Sequence, residues 1–556
     1  MSIWGDPVLL GNPAAAVTPE QYGAMGDGVH DDGPALKAAL ESGKPVALTR
    51  DLHLFSAIVI TDKDVYLDGH GWTVHLHGEH MERTAGGGVG GQCIRILSTR
   101  YEGELSDADV ISYTENSTAP VNPGYPDSTA YRRGYLSYHG FNPTPDKETY
   151  ADYTAWSWYE HHATIQNVRF VGDHVDGMMF LQLLQMCKST VSDCEFRTLP
   201  GHDAAIGLQV NNGYSILIDR VRAENFFCSR TRRALSTGYG IQVIGDAITI
   251  SNCITRDCKN HINIGGGSGA SGIFTTGAIL TNCVMQTTDT YARVEDPNAP
   301  TAALVQQLLD LHEGCHSPII DGVQLEYNNG MAEDNFGTLM HFSCPEFTVS
   351  NVCAAFHAQG EYGIGYIGFG PLVRKARLRN IHARRCTIFG HGWGFERGND
   401  YDANYIREVD ISDSLIGGVR NAEGLLVLRM TNVTCELPVA ASHLSASGCV
   451  FRNDLIPQRL PTLDISRELR LVGCEVSFTK LLASSRSVPL IKAPENEARL
   501  TSCTLRKASI ASVFKTEQTH LVNCETLDLW GLVLGSRMAN GYVDGDDCEL
   551  DAYNLW

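Results

Sequence analysis

Along its apolar and polar positions the chain repeats one short phrase. In Ile248-Thr249-Ile250-Ser251-Asn252-Cys253-Ile254-Thr255-Arg256 the alternation predicts a half-buried strand, a break at Asn252, and a second short strand. Asn suits the break because it tolerates left-handed backbone angles. The phrase returns around Asn282-Cys283, Asn351-Val352, Asn380-Ile381 and Asn432-Val433, and in looser form elsewhere. Aligned on the residue after the break there are fourteen copies, at 168, 194, 221, 253, 283, 323, 352, 381, 414, 433, 449, 474, 503 and 524. β-type units at such spacings predict stacked coils of a solenoid, each carrying its own loop. With parallel strands about 4.8 Å apart, fourteen coils make a rod on the order of 65 Å long.

Before the repeat, Gly26-Asp27-Gly28 reads as a tight turn, with Asp31 as a turn residue and Asp32 as a helix N-cap. Pro34 sits in a first helical turn and Leu36, Ala39 and Leu40 form one apolar stripe. Such a helix covers the open end of a solenoid, where strand edges are otherwise unpaired. The stretch Tyr22-Gly23-Ala24-Met25-Gly26-Asp27-Gly28-Val29-His30-Asp31-Asp32-Gly33-Pro34-Ala35-Leu36-Lys37-Ala38-Ala39-Leu40 resembles the opening signature of the pectate-lyase-like β-helix superfamily, of the bacteriophage tailspike and capsule-depolymerase type. It departs from that signature at Gly33-Pro34 and Leu36-Lys37. The resemblance implies an all-β, single-stranded right-handed parallel β-helix with an N-terminal cap helix. It also implies a homotrimer with glycan sites on one chain or between chains. The expected layout is a lead and cap helix at 1–43, a β-helix at 44–530, and a closing segment at 531–556.

Residues 99–160 break the repeat with many Tyr and Trp residues, including Trp156, among Pro, Gly, Asp and Ser. A loop this long is functional or disordered. Disordered segments are poor in aromatics, so an ordered insertion is expected, making sugar or subunit contacts. Two loops, 265–272 and the one holding Trp393, are rich in glycine, and Ala302 to His312 looks helical.

The 43 basic against 64 acidic residues give a net charge of −21, which argues against nucleic acid and anionic membranes as partners. Seventeen cysteines do not form a disulfide pattern, since seven of them share one position in the repeat. They read as small buried side chains and imply folding in a reducing cytoplasm. The start carries no secretory signal, so a place in a virion tail, or outside the cell after lysis, is expected. The short lead implies attachment through another tail protein. His75 and His77 share a strand face, but with no third ligand evident neither a metal nor a cofactor is expected.

Residues one and three places after the aligned residue that follows each break face outward, giving two columns. The first runs Arg169, Glu195, Arg222, Ile254 and later His382; the second runs Val171, Arg197, Glu224, Arg256, Gln286, Glu326 and later Arg384. A solvated charged stripe explains them most simply. As a glycan groove, Arg197, Arg222, Arg256, Arg384 and His382, with Trp156 and Trp393, bind acidic sugars through planar contacts. Glu224 and Glu326 are candidates for acid and base but stand three coils, roughly 14 Å, apart, so Glu224 pairs better with Glu195 one coil away. Asp310 and Glu313, on the long stretch between 283 and 323, could supply the missing acid if it folds back over the groove. Elimination would use His357 and His382 as bases on neighbouring coils. The leading function is a phage or prophage depolymerase, hydrolase or lyase, acting on a bacterial surface polysaccharide. The alternatives are a non-catalytic glycan-binding spike and a bacterial polysaccharide lyase or epimerase.

Overall fold

Every break in the repeat is a left-handed corner in the computed structural model. Asn167, Asp193, Arg220, Asn252, Asn282, Asn351, Asn380, Asp413, Asn432, Ser502 and Asn523 have φ between 49° and 55°, and Gly322, Gly448 and Gly473 between 60° and 67°. This conformation costs an ordinary L-residue about 1–2 kcal/mol, and Asn, Asp and Gly least. Asn then adds a bond between coils. Asn252 Nδ2 donates to Asp219 Oδ1 at 2.7 Å, Asn351 Nδ2 to Asp321 Oδ1 at 2.7 Å, and Asn380 Nδ2 to Asn351 Oδ1 at 2.8 Å.

The structure describes residues 16–81, 91–98, 161–226 (apart from 176, 201 and 203), 238–265, 275–288, 307–311, 315–329, 337–344, 346–358, 365–369, 373–389, 406–420, 425–453, 461–478, 491–492, 497–506, 519–527, 536–539 and 542–543. The expected insertion at 99–160, most of both glycine-rich loops and most of the closing segment lie outside these residues. The chain divides into two compact units, Met1–Tyr291 with Glu295–Pro318, and Ala292–Val294 with Ile319–Trp556.

Each unit is all-β, with parallel pairing between successive coils. In the first unit Ala163–Gln166 leads through Asn167 to Arg169–Asp173 and then to Met178–Leu184, and the next coil repeats the path. Ile165 pairs with Val191, Phe170 with Phe196, and Leu181 with Leu208. In the second unit Ile320 pairs with Val349, which pairs with Leu378, and Leu325 pairs with Ala354. Both units are therefore parallel β-helices.

Alternation puts Leu, Ile, Val and Phe inside, with Phe170 stacked on Phe196 at 5.0 Å. The corner cysteines are also inside. Cys194, Cys253, Cys283, Cys449, Cys474, Cys503 and Cys524 are buried and free, as the repeat predicts. Cys253 Sγ, for example, donates to Ser251 O at 3.2 Å, two residues back. Burial pushes the Cys194 thiol up to about 12, so it stays protonated and inert.

The helix Gly33–Glu41 forms where the sequence places it, burying Leu36, Ala39 and Leu40 against Ile58–Thr61 and Val65–Asp68. Asp32 is the N-cap by position, but its side chain makes no capping bond. Instead its buried carboxylate accepts from Met25 N at 2.7 Å and His53 N at 2.8 Å, bracing the turn against a strand. Asp31 accepts from Gly33 N and Phe55 N, both at 2.9 Å. One helical expectation fails. Gln307–Leu311 is a strand paired with Asn260–Ile264, and its residues from Leu308 to Leu311 are all buried, on both faces of the strand.

Asn252→Val places a β-branched residue at a left-handed corner and deletes the bond to Asp219, so it should cost ~2–3 kcal/mol in denaturant unfolding. Asn252→Gly keeps the corner angle and should cost less. Equal losses from the two would remove the role given to backbone conformation.

Candidate functional site

The outward columns stand in register as the sequence predicts. Arg169 pairs with Glu195, Glu195 with Arg222, and Arg222 with Ile254. One pleat further on, Val171 pairs with Arg197, Arg197 with Glu224, Glu224 with Arg256, and Arg256 with Gln286. Glu195 and Arg197 on one coil thus face Arg222 and Glu224 on the next, and charge alternates both along and across the strands. Glu195 and Glu224 occupy one diagonal of this square, roughly 8 Å apart at the backbone by strand geometry.

The square is partly closed on itself. Arg222 Nε donates to Glu224 Oε1 at 2.9 Å, and a second guanidinium nitrogen bonds the same oxygen. Glu195 Oε2 lies 3.9 Å from Arg169 Nε. Arg256 donates to Gln286 Oε1 at 3.3 Å, but its Nε and that of Arg197 are buried with no hydrogen-bond partner among the described residues. Buried polar groups of native proteins are nearly always paired, so these two nitrogens mark where an acceptor is missing.

Asp257 belongs to the same neighbourhood and was not among the sequence candidates. Its signal was present, because Asp257-Cys258 repeats the corner phrase of Asn252-Cys253, and Asp257 also takes a left-handed φ of 51°. Thr288 donates to its carboxylate from N at 2.6 Å and from Oγ1 at 2.9 and 3.0 Å. Burial raises the Asp257 pKa; the Thr288 bonds and Arg256 offset part of this, and the charge of Glu224 adds to it. A raised carboxyl beside an ion-paired one is the environment in which two acids take different roles.

The remaining candidates lie elsewhere. Asp310 is buried on a different row of strands and does not reach the charged square. It ends an amide ladder in which Gln182 donates to Gln209, Gln209 to Gln242 at 2.6 Å, Gln242 to Asn263 at 3.4 Å, and Asn263 Nδ2 to Asp310 Oδ2 at 2.9 Å. It is therefore a structural rung. In the second unit Glu326 Oε1 lies 3.6 Å from His357 Nε2. Arg384 is held by Glu436, with Nε and a terminal nitrogen 3.0 and 2.8 Å from one oxygen. His382 pairs with Cys353, and His357 with Asn328, so the two histidines fall in different columns despite lying on neighbouring coils. Glu313, Trp156 and Trp393 lie outside the described residues.

No protein-family model matches the sequence, and no curated protein matches it. Solved structures similar to the chain include phage tailspikes. The tailspike gp61 of Pseudomonas phage phi297 is 13% identical over 89% of this chain and 80% of that one, with a TM-score of 0.48. The tailspike gp49 of Pseudomonas phage LKA1 is 14% identical over 94% and 84%, at 0.42. The gp54 tailspike of Acinetobacter baumannii phage AP22, solved with a capsular saccharide, is 9% identical over 88% and 79%, at 0.36. Likeness at this distance carries no argument about activity, which rests on the chain's own residues.

Among those residues Asp257 gives a test by titration. Its folded pKa lies above the ordinary value of 3.8, so the proton it holds stabilises the fold below that value. That stability is lost as pH rises through the raised pKa. Asp257→Asn should therefore raise the melting temperature at neutral pH, and the gain should vanish below pH 3.8. A gain that persists at low pH would show that the side chain's charge is not its cause.

Proposed function

We propose that the protein grips an anionic polysaccharide along the Arg197–Glu224–Arg256 column and cuts it. One observation carries this: the buried, unpartnered Nε groups of Arg197 and Arg256 flank a carboxylate in register. With no partner at Nε, each arginine is free to turn its guanidinium toward a sugar carboxylate, and guanidinium geometry favours planar, two-point contact. Glu195 and Glu224 stand about 8 Å apart at the backbone, from where their side chains can reach the spacing of about 6.5–9.5 Å between the carboxyl groups of an inverting hydrolase. Hydrolysis is thus favoured over elimination. In the charged square Glu224 is the base, and Glu195 or the raised Asp257 is the acid.

The opening signature supports a tailspike-type depolymerase wound right-handed, with the helix Gly33–Glu41 capping the first coil. It also supports a homotrimer in a virion tail, with a bacterial surface polysaccharide as substrate. A second assignment, a non-catalytic glycan-binding spike, is favoured by the Arg222 bonds that already occupy Glu224 Oε1.

Incubation with acidic capsular polysaccharides should release new reducing ends without an ultraviolet-absorbing unsaturated product. Glu224→Gln should abolish release while retaining binding. Arg256→Gln should weaken binding about tenfold, as expected when a charged hydrogen bond worth ~1.5 kcal/mol is lost. Release undiminished in both Glu224→Gln and Glu195→Gln would refute the catalytic assignment. Binding without release by the native protein would establish the spike.

A further inference from the structure

The strand Arg169–Asp173 ends in a second group of side chains that the charged square does not use. Asp173 is its last residue, and His174 follows at a left-handed corner with φ of 51°. His202 comes from the segment after the next coil's strand, Glu195–Thr198. Asp173 Oδ1 lies 2.7 Å from His174 Nδ1 and 3.1 Å from His202 Nε2, and the two imidazole rings are 4.4 Å apart at their centroids. One atom from each of the three residues falls within 4.8 Å of the others.

We propose that Asp173, His174 and His202 form a binding site for a divalent late transition-metal ion of the zinc class. The spacing fits. Bonds of about 2.0–2.1 Å in a tetrahedral site place ligand atoms about 3.3 Å apart, close to the separations already present. The donor set also fits. Two imidazoles and one carboxylate suit zinc, cobalt, nickel or copper, whereas calcium and magnesium require mostly oxygen ligands. The three residues leave a fourth position for water.

A neighbouring coil lies beside the site. His77 pairs with Asp173 in register, and its Nδ1 lies 3.9 Å from Asp173 Oδ2, beyond hydrogen-bond distance. His77 is held instead by His53, whose Nδ1 lies 3.1 Å from its Nε2, and by Phe55, on which its ring stacks at 4.5 Å. His77 is thus a neighbour of the site and not one of its three ligands. The bound ion would tie the segment carrying His202 to the preceding coil, although the two lie far apart in sequence.

The test uses the full chain, stripped with a chelator and titrated with Co2+ and Zn2+. One equivalent of Co2+ should bind with the visible absorption of a four- or five-coordinate ion, and Zn2+ should displace it and raise the melting temperature. His202→Ala and Asp173→Asn should abolish the absorption, yet melt like the native chain in chelator. His162→Ala alters a separate His–Asp pair with Asp64 and should leave binding unchanged. The proposal is overturned by absence of stoichiometric binding, by His202→Ala binding like the native chain, or by loss of binding in His162→Ala.

Discussion

The left-handed corner is the constraint on which the rest depends. A strand that turns at a residue with φ near 50° starts its next strand at the same place in every coil. Backbone hydrogen bonds then fix the register, and Asn or Asp side chains at the corners tie coil to coil. Everything outward of the corner inherits that alignment. Glu224 faces Arg256, though 32 positions separate them, because both stand three residues after a corner residue's successor.

That inheritance explains what was legible in the sequence. The corner phrase marks its own backbone conformation, and the two outward columns follow by counting. Burial of the corner cysteines was also legible, since a small apolar side chain repeated at one position has little other use. The Gly33–Glu41 helix carried its own stripe and proline. Asp32 misled because an Asp before a helix has two uses, and burial beside a strand selected backbone bracing over capping. Gln307–Leu311 misled because three leucines among five residues fit either period, and only pairing with Asn260–Ile264 decides between them.

The chemistry was less legible than the fold, for a physical reason. Counting from a corner gives the register of a strand but not the path of the segment after it. Asp310 was assigned to an excursion over the groove, whereas it ends a polar ladder on another row. Arg384 looked available until Glu436, from a later coil, took it. Conversely, the Asp173–His174–His202 group sits at and just beyond the ends of strands, where spacing carries no information, and Asp257 repeats the corner phrase without showing that Thr288 gathers around its carboxylate. Corners are thus the places where this fold gathers side chains that the sequence keeps apart.

The most direct test of the central claim is proximity across coils. In a background with Cys228, Cys353 and Cys548 replaced by Ser, cysteines at positions 195 and 222 can be labelled with pyrene on the native protein. The remaining cysteines among the described residues are buried and closed to the label. Adjacent in-register coils should give strong excimer emission from this pair, whereas positions 195 and 284, three coils and ~14 Å apart, should give monomer emission. Monomer emission from the first pair, or excimer from both, would contradict the stacking from which the site is built.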